Sequence, residues 1–194
     1  FLGLFDRPVS EEAIAQLHPF SNLFKTLHKL STLKLIYLEK QHPILSEEKP
    51  GLVDCHPLIR EHYSESFKAE DPGEWQACHA LLCEYFQLLP EREMPDTLDE
   101  MEPLFMAIRH GCLSGKHNEM VREVYWARVV QGIHAYLPHK LGAVGIDLTL
   151  LSYFFEIPWK SPAKELTPKN KALVLSWAGF RLQVLGKFDE CVSP

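Results

Sequence analysis

The stretch LVDCHPLIREHY, residues 52–63, passes from a strand pattern to a helix pattern within a few residues. Residues 52–55 have the composition of a short strand. Pro57 suits the first turn of a helix, and an amphipathic pattern follows it. His56 lies between the two. The residues leave two interpretations open: His56 is a polar residue that fills the junction, or it is a sensor for a group that another part of the protein presents.

The elements before this junction are short. FLGLF resembles a helix end, and SEEAIAQLH and NLFKTLHKL have helical spacing, with Ser10 as the N-cap of the first. LKLIYLE is rich in strand formers, and the polar loop KQHPILSEEKPG leads to the next strand. Three helices followed by a two-stranded ribbon is the order of a winged helix. We predict that domain over residues 1–68, in a mainly α-helical protein.

Residues 69–194 have helical patterns throughout. An ungapped alignment of two segments places Ala107 on Ala178 and Gly115 on Gly186, an offset of 71 residues. This offset is close to twice the ~34-residue period of tetratricopeptide repeats. The segment HKLGAVGIDLTLLSYFFEIPW is expected to add helix with a glycine-rich break. We predict an α-solenoid of tetratricopeptide-like hairpins that continues beyond residue 194. Residues of good N-capping type begin three of the helix patterns: Asp71, Thr97 and Thr167.

Composition and charge narrow the function classes. The chain has 194 residues, 46% of them hydrophobic, and a net charge of −6. Neither predicted domain has the basic excess that binding to a nucleic-acid backbone requires. No apolar run approaches the ~20 residues of a membrane span. The five cysteines form no C-x-x-C pair, which predicts reduced thiols and a cytoplasmic location.

The order of domains and the motif CHPLIRE, residues 55–61, resemble the middle and C-terminal part of bacterial STAND-type signalling ATPases of the NACHT and NB-ARC group. The winged helix of that group ends in a Met-His-Asp-type motif at a strand-to-helix junction. Pro57 stands here where the motif usually has Asp. The resemblance implies that His56 contacts the β-phosphate of ADP, and Arg60 is a second candidate for a phosphate contact.

The same resemblance implies a regulatory segment. ADP or ATP with Mg would bind to a nucleotide-binding domain upstream in the same protein, and activation would include oligomerisation. The residues printed here contain no Walker A sequence, so we expect neither a cofactor within them nor enzymatic activity from them. No catalytic residues are assigned. The spacing of the cysteines and histidines does not favour a metal site.

Helical repeats present surfaces that bind a ligand or a partner protein. The aromatic side chains of residues 69–194 are candidates for such a surface because aromatic residues are enriched at interfaces. Two alternatives stay open: a freestanding adaptor whose repeats bind a peptide, and a regulator that uses the winged helix on DNA. The partner-binding candidates are Tyr125, Trp126, Tyr153 and Trp159.

Overall fold

The computed structural model describes residues 2–17, 22–39 and 51–187. In this part of the chain the protein is mainly helical, with two small antiparallel sheets. The chain divides into two compact units, Phe1–Leu82 and Cys83–Pro194. The division falls within one helix, Pro72–Leu88. The domain boundary after residue 68 stays a prediction from the sequence.

The first unit contains the predicted strands and helices around the junction. Its three strands form one antiparallel sheet, in which Leu52–Cys55 lies between Val9–Ser10 and Ile36–Glu39; Val9 is opposite Val53, and Ile36 is opposite Cys55. The elements are a 3₁₀ turn Leu2–Leu4, β1 Val9–Ser10, α1 Glu11–Ala15, α2 Leu23–Thr32, β2 Ile36–Glu39, β3 Leu52–Cys55, α3 Pro57–Glu70 and the first part of α4 Pro72–Leu88.

Local sequence accounts for several of these elements. The hydroxyl of Ser10 accepts a hydrogen bond from the backbone N–H of Ala13 at 3.3 Å, which confirms the predicted N-cap of α1. The strand β1 was not predicted, because two residues are too few to show alternation. Most of the predicted loop, residues 40–50, lies outside the described residues.

Gly3 sets how closely the N-terminal turn approaches α3. A Cβ at this position would lie 2.6 Å from the backbone N of Ser64 and 2.9 Å from the carbonyl oxygen of Arg60. A larger residue would therefore push the turn away from the helix. The adjoining Leu4 and Phe5 are buried in the core of this unit.

The second unit is built around the helix Leu98–Leu113 and the π-helix Met120–Val129. Its core joins residues of these two helices with residues of the last two helices and a short hairpin. The elements are the second part of α4, α5 Leu98–Leu113, α6 His117–Glu119, the π-helix Met120–Val129, a 3₁₀ turn Gly132–His134, a short π-helix Tyr136–Lys140, α7 Val144–Ser152, β4 Phe155–Ile157, β5 Ser161–Pro162 and α8 Pro168–Val184.

Two aligned glycines end their helices in the same way. Gly115 follows α5 with φ +86°, and the N–H of Lys116 bonds to the carbonyl of Gly111 at 2.8 Å. Gly186 follows α8 with φ +71°, and the N–H of Lys187 bonds to the carbonyl of Leu182 at 2.9 Å. Both ends are Schellman caps, which favour glycine because its left-handed backbone has no Cβ penalty. Glycine therefore ends a helix at both aligned positions.

The predicted N-caps are confirmed as well. Thr97 accepts from the N–H of Glu100 at 3.2 Å, and Thr167 accepts from the N–H of Asn170 at 3.3 Å. Asp71 caps α4 through the N–H of Glu74 at 2.9 Å. Each of these contacts spans three residues, so the sequence was sufficient to identify them.

The expectation of helix through residue 159 was wrong. Helix α7 ends at Ser152, and the following residues form a β-hairpin in which Phe155 pairs with Pro162. Phe155 and Ile157 have strand propensity, and Pro158 disfavours helical backbone at the residue before it. In the described part of the chain, no helix is both long and apolar enough to cross a membrane.

Candidate functional site

The first candidate site is the junction between β3 and α3. His56 is the N-cap of α3: its Nδ1 accepts a hydrogen bond from the backbone N–H of Leu58 at 3.2 Å. Pro57 has no N–H, so Leu58 offers the first N–H of the helix that a cap can satisfy. The bond requires an unprotonated Nδ1, so the proton of the neutral ring is on Nε2. His56 is exposed, and its Nε2–H is available as a donor.

Arg60 and Asp54 stiffen the same junction. The guanidinium of Arg60 donates from Nη2 to Oδ1 of Asp54, and the N–H of Cys55 donates to the same oxygen at 2.8 Å. The Arg60 side chain is only 14% exposed. Arg60 would therefore have to leave this ion pair before it could reach a phosphate. The ion pair ties the last residues of β3 to the first turn of α3.

An apolar cavity of about 570 Å³ lies beside the junction. Its wall includes residues of α2, β2, β3 and α3 and is mainly aliphatic. Two of its residues are notably exposed for their type: Leu58 is 67% exposed and Tyr63 is 61% exposed. An apolar surface of this kind next to a polar site is typical of a contact face.

The second unit contains a buried polar network. Oδ2 of Asp147 accepts from Nε of Arg181 at 2.6 Å, and Oδ1 accepts from the hydroxyl of Tyr125 at 2.7 Å. Burial raises the pKa of Tyr125 well above its usual value, the Asp147 charge raises it further, and Arg181 lowers it. Tyr125 therefore acts as a neutral hydrogen-bond donor. The network joins the π-helix, α7 and α8.

The second candidate site lies against this network. Trp126 and Trp177 stack with ring centroids 4.8 Å apart and planes 3° apart, and Trp177 also contacts Tyr125 at 5.6 Å. Both tryptophans line a pocket of about 290 Å³ between the π-helix and α8. The cationic side chains in its lining are Arg122 and Lys169. We call it the tryptophan pocket.

Asn118 holds the start of α8 at the edge of the tryptophan pocket. Its Oδ1 accepts from the N–H of Thr167 at 3.0 Å and from Nδ2 of Asn170 at 2.8 Å. Its Nδ2 donates to the carbonyl of Glu165 at 2.6 Å. Asn170 lines the pocket and is buried. These bonds fix the first turn of α8 relative to α6. They therefore also fix the backbone of Lys169, which belongs to that turn.

The structure separates the four aromatic partner-binding candidates. Trp126 is partly exposed and lines the tryptophan pocket. Tyr125 is 1% exposed, so its assignment to partner binding is corrected to a core role. Tyr153 is half-buried against the core at the end of α7. Trp159 lies in the β4–β5 turn, with its ring 5.5 Å from Phe155.

Sequence reasoning missed most of the tryptophan pocket. Trp177, Arg122 and Lys169 belong to segments about fifty residues apart, and no spacing rule connects them. Lys169 follows the confirmed N-cap Thr167, but a lysine at the start of a helix is by itself an ordinary solvated residue and does not indicate a site.

The buried thiols do not form a reactive centre. Burial raises the pKa of Cys83 to about 11, and it raises the pKa of Cys112 well above its usual value. Both are therefore thiols at neutral pH, and the thiolate is the nucleophilic form. Within residues 2–17, 22–39 and 51–187, no three His, Cys, Asp or Glu side chains are grouped as metal ligands would be.

Comparison of the chain with models of protein families, with curated proteins and with solved structures finds no match. The residues and geometry of the two candidate sites therefore provide the basis for inferring function.

Proposed function

We propose that this chain is the regulatory and sensor segment of a STAND-type nucleotide-switch signalling protein. In this proposal a winged helix reports the ADP or ATP state of an upstream nucleotide-binding domain. When the helical repeats bind a ligand or partner protein, the protein changes from the closed state to the open state. The observation that carries the proposal is the orientation of His56, whose Nδ1 caps α3 and whose Nε2–H is free to donate.

The order of elements in the first unit supports a winged helix. Two helices separate β1 from the β2–β3 pair, and β3 lies between β1 and β2 in the sheet. A winged helix has this arrangement of helices and strands. The motif residues 55–61 then lie where the last strand of the ribbon meets the next helix.

The chemistry of His56 supports the sensor role. A phosphate oxygen of ADP can accept from Nε2–H without disturbing the cap at Nδ1. The cap holds the ring in one tautomer, so the donor is oriented before the ligand arrives. A contact made in the ADP-bound closed state and absent from the open state biases a two-state equilibrium toward the closed state.

The apolar face beside the junction supports packing against a neighbouring domain. Leu58 and Tyr63 are exposed in the isolated segment, and Leu58 is the residue whose N–H His56 caps. A nucleotide-binding domain that covers this face would bring its phosphates toward His56. Its removal of Leu58 and Tyr63 from water would stabilise the closed state.

The second unit supports the repeat part of the proposal. The helix pair of α5 and the π-helix turns at Gly115, and α8 ends in the same cap at Gly186. Recurring helix pairs with recurring caps are typical of tetratricopeptide-like solenoids. The four buried free cysteines of the described residues suit a cytoplasmic location.

The decisive experiment measures the nucleotide bound to the full-length protein that contains this segment. The protein is purified without added nucleotide and denatured, and the released ADP is quantified by chromatography. We expect near-stoichiometric ADP. The variants His56→Ser and His56→Ala should both lose the bound ADP. The serine hydroxyl is too short to reach the phosphate that an imidazole reaches, and alanine has no donor.

The serine variant separates the sensor role from the capping role. Ser caps a helix well, so only His56→Ala should also lose helix stability, by about 1 kcal/mol. Wild-type ADP retention in His56→Ser would reduce His56 to a capping residue. A folded full-length protein without any nucleotide would favour the adaptor alternative, which the tryptophan pocket supports.

A further inference from the structure

We propose that the tryptophan pocket binds an acidic peptide segment through one apolar side chain and the carboxylates beside it. The proposal deepens the partner-binding part of the proposed function by naming the site and the chemistry of the partner. It is carried by two features of the second unit: an aromatic cavity and a pair of cations at that cavity.

The cavity suits one side chain of a longer chain. Its volume of about 290 Å³ is at the lower limit of small-molecule pockets, which enclose most of their ligand. Trp126 and Trp177 provide aromatic surface, and Val121 and Leu173 add aliphatic surface. An aromatic or large aliphatic side chain would fill this space, with the rest of its chain outside.

The charged side chains at the cavity favour a negatively charged partner. Arg122 and Lys169 are exposed, and among the described residues neither has an ion-pair partner. The pocket lining contains no Asp or Glu. The chain as a whole has a net charge of −6, so the sign of this site is opposite to that of the chain. Carboxylates beside the inserted side chain would pair with the two cations.

The pocket is also fixed in place before any partner binds. Trp177 contacts both Trp126 and Tyr125, and the Tyr125 hydroxyl donates to the buried Asp147. Asn118 independently fixes the start of α8, which carries Lys169. A site whose side chains are already ordered loses less entropy on binding. Tryptophan and arginine are the residue types that most often dominate binding energy.

The test uses the 194-residue chain without nucleotide and dye-labelled peptides of five residues. Each peptide has two acidic residues on either side of one variable residue. A matched series replaces Asp and Glu with Asn and Gln. Fluorescence anisotropy measures binding, and the tryptophan emission of the protein reports whether the pocket is the site. Tryptophan and tyrosine are left out of the variable position so that the emission comes from the protein.

We expect acidic peptides with a central aromatic or large aliphatic residue to bind saturably and to change the tryptophan emission. The amide series should bind at least about tenfold more weakly, since the charge-assisted bonds are lost. The double variant Arg122→Gln with Lys169→Gln should weaken the acidic peptides by about tenfold or more. Both positions are exposed, so the variant should fold normally.

The matched control removes two exposed lysines elsewhere in the unit, Lys140→Gln with Lys160→Gln. It changes the net charge equally and should retain binding. An equal loss in the control would mean general charge attraction and would overturn the proposal, as would equal binding of the acidic and amide series. The outcome does not depend on His56. ADP retention without peptide binding contradicts the pocket, and peptide binding without ADP contradicts the switch.

Discussion

Arg181 and Asp147 form a buried ion pair, with Nε and Oδ2 2.6 Å apart and side chains that are 7% and 0% exposed. The second carboxylate oxygen of Asp147 is occupied by the hydroxyl of Tyr125. The pair joins α7 to α8, and Tyr125 extends it to the π-helix beside the tryptophan pocket. A buried charge is tolerated only when it is paired and hydrogen-bonded, so each member of this network depends on the others.

The ion pair predicts strong non-additivity. Asp147→Leu leaves the Arg181 guanidinium buried without a counter-charge and should lower the free energy of unfolding by about 3–5 kcal/mol. The double variant Asp147→Leu with Arg181→Met should cost much less than the two single changes together, because no charge remains buried. Urea unfolding of the four proteins of the cycle measures this. Additive single and double effects would contradict the coupling.

The Tyr125 hydroxyl should contribute separately. Tyr125→Phe removes a hydrogen bond to a charged, buried carboxylate and should destabilise the chain by about 1.5–3 kcal/mol. Tyr85→Phe is the matched control, since within the described residues the Tyr85 hydroxyl has no hydrogen bond. Thermal unfolding followed by circular dichroism compares the two. Equal stabilities of the two variants would show that the Tyr125–Asp147 bond has no net effect.

The same substitution at two helical glycines should have opposite effects. A Cβ on Gly111 would lie 2.4 Å from both Sδ and Cγ of Met120 and 3.0 Å from Sγ of Cys83. Gly111→Ala should therefore cost about 1–3 kcal/mol through overpacking. A Cβ on Gly179 meets nothing within 4 Å, so Gly179→Ala should stabilise α8 by about 0.5–1 kcal/mol. The midpoints of urea unfolding, compared at equal m-values, measure both changes. An unchanged midpoint in Gly111→Ala would exclude close packing at Gly111.

His117 should make the protein less stable as the pH falls. Burial lowers the pKa of His117, and the nearby Glu165 only partly opposes this. Above the unfolded value of about 6.5, His117 is neutral in both states and makes no contribution to the pH dependence. Below it, the unfolded chain binds the proton first, so the free energy of unfolding decreases until the folded pKa is reached.

The variant His117→Gln isolates this contribution from that of the other histidines. Its free energy of unfolding should change less between pH 7.5 and pH 5.5 than that of the wild type. Urea unfolding at both pH values gives the two differences. An identical pH dependence in the two proteins would mean that the pKa of His117 is the same in the folded and unfolded states.

Residue type and short spacing were sufficient to predict the local features of this protein. Ser10, Thr97 and Thr167 cap their helices, and Gly115 and Gly186 end theirs, because each contact spans at most five residues. Such contacts depend on residue type and short spacing alone. The mainly helical class followed from the same signals, summed along the chain.

Contacts between residues that are distant in the sequence could not be predicted in this way and are known from the packing of the helices. The ion pair of Asp147 with Arg181 and the stack of Trp126 on Trp177 each join segments more than thirty residues apart. The β-hairpin after α7 and the π-helical form of Met120–Val129 also exceed what periodicity predicts. Contacts across such separations depend on how whole helices pack around the core. Because the core is close-packed, the position of each side chain depends on many others. The tryptophan pocket therefore depends on positions that no single segment specifies.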